Sequence, residues 1–110
     1  MEAVLVGMTD LGNKAVKVIR DYLAEHDIVC PPNLFHSPVD CMAVDPNSVE
    51  GAELVLLHEG VDACRALTLD GAYEMNNGDY SLYEGLTERL RDEGLYLEQM
   101  YRWCSSVRAV

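Results

Sequence analysis

Apolar positions along this chain fall into two kinds of pattern. Short continuous runs occur at residues 3 to 6 (Ala-Val-Leu-Val) and 53 to 57 (Glu-Leu-Val-Leu-Leu). Runs of this length, bounded by glycine or polar residues, predict strands buried on both faces, as parallel sheets require. Between them Leu11, Ala15, Val16, Ile19, Tyr22 and Leu23 recur at helical spacing. Asn13, Lys14, Lys17, Arg20 and Asp21 occupy the other side, which predicts an amphipathic helix over residues 10 to 25.

Weaker patterns fill the rest. Residues 27 to 30 suit a short strand ended by Pro31-Pro32, since proline cannot donate to a ladder. Residues 39 to 44 suit another. Asp45-Pro46 has the look of a cap followed by proline at the first helical position, opening a short helix to residue 50. Residues 61 to 67 suit a further short helix. Residues 68 to 79 contain Asp70-Gly71 and Asn77-Gly78, two turn signals that fit a hairpin or a loop. Ser81-x-x-Glu84 matches a capping box, Leu82, Leu86 and Leu90 mark one helix face, and Gly94 offers a stop. Residues 95 to 103 read as a last strand, with a helix as the other option. The order of elements implies one domain over residues 1 to 110. Its expected class is a small three-layer Rossmann-like or flavodoxin-like α/β fold with a mainly parallel sheet of four to five strands.

Charge narrows the function. The formal net charge is −11, and Lys14 and Lys17 are the only lysines. Such a surface repels nucleic-acid phosphate, so direct DNA or RNA binding is not expected. No apolar run reaches the roughly 20 residues of a membrane span. The opening residues MEAVLVG lack a basic region before their apolar stretch, so a cytoplasmic location with reduced thiols is expected.

Three groups of residues carry candidate chemistry. The turn after the first run, Gly7-Met-Thr-Asp-Leu-Gly12-Asn-Lys, resembles a phosphate loop in outline only. Asn13 displaces the lysine, Ala15 replaces the hydroxyl of a Walker loop, and Thr9 occupies the middle glycine of a dinucleotide fingerprint. What remains is a helix start at which Thr9, Asp10, Gly12 and Asn13 could bind a small polar ligand. Asp10 opposes phosphate there. Cys30, His36 and Cys41, spaced C-x5-H-x4-C, are candidate ligands for a borderline metal such as zinc. His58 and Glu59 follow the second apolar run, and with His36 they are the candidate acid–base residues. In a parallel sheet, Thr9, Asp10, Asn13, Cys30, His36, His58 and Glu59 would meet at one rim outside the strand ends.

The expected role is a binding or regulatory module for a small polar ligand or a protein partner. Two other roles stay open: a small transferase or hydrolase using His58 and Glu59, and an acidic inhibitor-type protein that docks on a basic nucleic-acid-binding surface. Tyr96, Leu97, Met100, Tyr101 and Trp103 suit either a core or an exposed edge that pairs with a second copy, so a homodimer is expected. No cofactor is indicated.

Overall fold

A computed structural model describes residues 9–31, 33–38, 51–58, 61–101 and 104–110. The strand expected at 3 to 6, Gly7, the strand at 39 to 44, the helix at 45 to 50, Cys41, Glu59 and Trp103 lie outside these residues. In chain order the described elements are α1 (Asp10–Glu25), β1 (Phe35–His36), β2 (Ala52–Leu57), α2 (Cys64–Leu67), α3 (Leu69–Met75), α4 (Ser81–Asp92), β3 (Leu95–Tyr101) and β4 (Cys104–Ala109).

The sheet corrects the parallel expectation. Its four strands run in the order β1-β2-β4-β3, and every pairing is antiparallel. The cause is partly local. Only residues 102 and 103 separate β3 from β4, and so short a link joins antiparallel neighbours and no others. The apolar run in β2 misled because Leu54, Val55 and Leu56 are all buried. Burial on both faces gives a continuous apolar strand whether its neighbours run parallel or antiparallel.

α1 forms where its 3.6-residue period begins. Thr9 is its N-cap, with a side chain that accepts a hydrogen bond from the Gly12 N–H at 3.0 Å. Asp10 sits in the first turn. Ala15, Ile19, Tyr22 and Leu23 are buried in one core with Leu54 and Leu56 of β2, Leu95 and Leu97 of β3, Val107 of β4, and Leu86 and Leu90 of α4. The other face of the sheet holds a smaller buried pair, Val55 and Cys104, with Ala52 and Leu57 packed against it. Among the described residues no helix is long and apolar enough to cross a membrane.

Three further expectations change. Residues 27 to 30 are not a strand; Asp27 turns through a positive φ of 55° and the chain leaves α1. Residues 68 to 79 are not a hairpin. Thr68 caps α3 by accepting from the Gly71 N–H at 2.8 Å, and the turn signals at Asn77 and Gly78 end that helix with φ values of 53° and 80°. At α4 the capping-box serine is not the cap. Asp79 accepts from both the Ser81 N–H (3.0 Å) and its hydroxyl (2.6 Å), and these bonds hold the Asp79 carboxyl below its usual range. Gly94 does stop α4, in the left-handed region at φ 76°.

Candidate functional site

The opening turn satisfies itself. Besides accepting from Gly12, Thr9 donates its hydroxyl to the Glu53 carboxylate. Glu53 is free to receive it because the β2–β4 register slips between Ala52 and Leu54, a bulge that re-aims the intervening side chain. Gly12 is helical and buried, and Asp10 and Asn13 are exposed. Two carboxylates, Asp10 and Glu53, therefore stand at the helix start, where an anion would otherwise bind.

Among the described residues, the members of the expected rim are set apart. Thr9 touches Glu53, near the start of β2, whereas His58 follows its last residue. Five residues of strand separate the two positions by roughly 16 Å. His36 pairs with Val55 across the β1–β2 ladder, and its Nε2–H donates to the Asn33 carbonyl oxygen at 2.7 Å. Cys30 is half-buried beyond α1, and burial pushes its thiol up, against an opposing pull from Arg20. Among the described residues no group of three His, Cys, Asp or Glu side chains is placed to hold a metal ion.

His58 instead joins two residues that the sequence reading had not connected to it. Its Nε2 lies 2.8 Å from the Ser105 hydroxyl, and its Nδ1 lies 3.4 Å from the Cys64 sulfur. The Cys64 thiol also donates to the His58 carbonyl oxygen. A thiol beside an imidazole that is held by a third polar group is the arrangement of an activated nucleophile. Here the electrostatics oppose activation. Burial holds the His58 imidazole down to about 4. Burial pushes the Cys64 thiol above its ordinary value of 9.0, and the nearby Asp62 and Glu74 add to the rise. Both shifts favour a neutral thiol and a neutral imidazole, and His58 packs as a buried pin between β2, β4 and α2. Cys64, six residues on, was legible as a partner of His58; Ser105, 47 residues on, was not.

No family model, curated protein or solved structure matches this chain. Function has to be read from the side chains it presents.

Two surfaces stand out. A groove of about 440 Å³ runs between α1 and α4, lined in part by Lys14, Lys17 and Arg89. Each of these cations already faces a carboxylate: Lys14 meets Glu93 at 3.3 Å, Lys17 meets Asp21 at 2.9 Å, and Arg89 meets Glu25 at 2.5 Å. The groove is internally neutralised and ties the two helices together. The second is a stretch of sequence. Residues 66 to 88 contain five carboxylates (Asp70, Glu74, Asp79, Glu84 and Glu88) and neither lysine nor arginine, although Arg65 reaches Asn76 and Arg91 lies beside Glu84 and Glu88 in space. Of the seven large apolar side chains exposed among the described residues, four belong to this stretch: Leu69, Tyr73, Met75 and Tyr80. Apolar side chains scattered singly are ordinary; here four fall within one short stretch of sequence.

Proposed function

We propose that this chain is a binding module that docks on a positively charged protein surface through the stretch at residues 66 to 88. The observation that carries the reading is the coincidence of four exposed apolar side chains with five carboxylates in one stretch of sequence. Apolar contacts supply affinity, and the carboxylates select and steer a basic partner. A small polar ligand is a poorer fit, because Thr9 is spent on Glu53 and the cations of the α1–α4 groove are paired. A transferase or hydrolase using His58 and Glu59 has less support, because Glu59 lies outside the described residues and the thiol beside His58 is pushed away from its ionised form.

Titration with a fluorescent oligolysine peptide tests the charge requirement. Saturable binding that weakens steeply between about 50 and about 300 mM salt is expected. Absence of saturable binding at the lower salt contradicts the reading.

A further inference from the structure

We infer that Asn77, in the turn between α3 and α4, is a site of spontaneous covalent modification: it loses its side-chain amide through a cyclic imide formed with the backbone nitrogen of Gly78. Asn77 is the one asparagine in the chain that precedes a glycine. With no Cβ on the following residue, that nitrogen and the Asn77 side chain can approach each other with least hindrance.

The fold separates Asn77 from its neighbour. Asn76 is held at both side-chain atoms: its Oδ1 accepts from the Arg65 Nε–H at 2.8 Å, and its Nδ2–H donates to the Arg65 carbonyl oxygen at 3.4 Å. Asn77 is exposed, and its side chain has no hydrogen-bond partner among the described residues. Asn77 and Gly78 both lie in the left-handed region, with φ values of 53° and 80°, and a Cβ on Gly78 would meet nothing within 4 Å. The Gly78 N–H is held only by the Tyr73 carbonyl oxygen, at 3.2 Å, in the bond that closes the end of α3. Bonds at helix ends open far more readily than those of the core, so the nitrogen becomes available without global unfolding.

The reaction needs only water. Solvent base removes the Gly78 amide proton, and the nitrogen attacks Asn77 Cγ. A bond from Cγ to the Gly78 nitrogen forms, the bond from Cγ to Nδ2 breaks, and ammonia leaves with a proton regained from solvent. Water then opens the imide at either carbonyl. Opening at Cγ leaves aspartate on an unaltered main chain. Opening at the main-chain carbonyl leaves isoaspartate, whose main chain runs through Cβ and Cγ. Neither product suits the turn. Aspartate adds a negative charge at the C-terminal end of α3, where the carbonyl dipoles are already negative. Isoaspartate lengthens the link between α3 and α4 and removes the left-handed residue on which the Gly78–Tyr73 bond depends.

Incubation of the folded chain in mildly alkaline buffer, followed by trypsin digestion and tandem mass spectrometry, tests the proposal. Cleavage after Arg65 and Arg89 releases residues 66 to 89, which hold both Asn76 and Asn77. The mass gain of an amide-to-acid change is expected on Asn77 while Asn76 stays intact, and an isoaspartate-specific methyltransferase should label part of the product. Gly78→Ala should slow the conversion by about tenfold or more. Asn77→Gln keeps an amide at the position and should abolish it. An Asn77 that stays an amide in the folded chain, whether or not it converts in urea, overturns the proposal. So does a mass gain shared equally by Asn76 and Asn77, a converted Asn77 with no isoaspartate in the product, or conversion at the native rate in Gly78→Ala.

Discussion

His58 Nε2 and the Ser105 hydroxyl oxygen lie 2.8 Å apart, and both residues are fully buried. The Cys64 sulfur stands 3.4 Å from Nδ1, so each ring nitrogen has a partner. Ser105→Ala removes the partner of Nε2 and leaves a buried ring nitrogen unsatisfied. A loss of about 1–3 kcal/mol is expected in urea unfolding. A loss below about 0.5 kcal/mol would show that the imidazole finds another partner.

The same burial makes stability depend on pH. The His58 imidazole is held down to about 4 in the fold, against 6.5 in an unfolded chain. The unfolded chain therefore takes up the proton first. Stability is fully present above about pH 6.5 and is lost as pH falls toward about 4. Between pH 7 and pH 5 this one group should withdraw about 2 kcal/mol. Unfolding measured at both values, on the native chain and on His58→Gln, checks it. The variant is less stable at pH 7, but its drop between the two values should be smaller by about that amount. An equal drop in both proteins would mean that His58 does not titrate differently on unfolding.

Gly71 and Gly78 offer a paired test of how α3 is seated. Gly71→Ala drives a Cβ into the Cys64 carbonyl group, which is backbone and cannot step aside. About 1–3 kcal/mol of destabilisation is expected from such overpacking. Gly78 has nothing within 4 Å, and only its φ of 80° resists a side chain. Gly78→Ala should therefore cost about 1–2 kcal/mol through backbone strain alone. Thermal melts of both variants decide it.

Local structure was largely legible in the sequence, and topology was not. α1 follows its apolar period closely, and β2 follows its apolar run. β4 was missed because Cys104-Ser-Ser-Val-Arg-Ala lacks the bulk expected of a central strand. Its residues 104 to 107 are nevertheless all buried, Val107 in the main core and Cys104 in the cluster on the other face of the sheet. Without β4 the hairpin with β3 could not be read, and a parallel sheet followed from the βα-like order alone. α3 was hidden for another reason. Asp70-Gly71 is a hairpin signal in isolation, but Gly71 is there for close approach to α2, and Thr68 supplies the cap. The rim of candidate residues inherited the parallel error. With the strands antiparallel, Thr9 and His58 attend opposite ends of β2.

The docking of a basic partner at residues 66 to 88 is tested most directly by moving the same charge change around the surface. Asp70→Asn with Glu74→Gln, and Asp21→Asn with Asp92→Asn, each raise the net charge by two units, and all four residues are exposed. The measurement is the dissociation constant for the oligolysine peptide at about 50 mM salt, where screening is weakest. The α3 pair should weaken binding about tenfold, and the pair on α1 and α4 by less than about threefold. Equal weakening by the two pairs would contradict the account, because the peptide would then be responding to the net charge of the chain and not to α3.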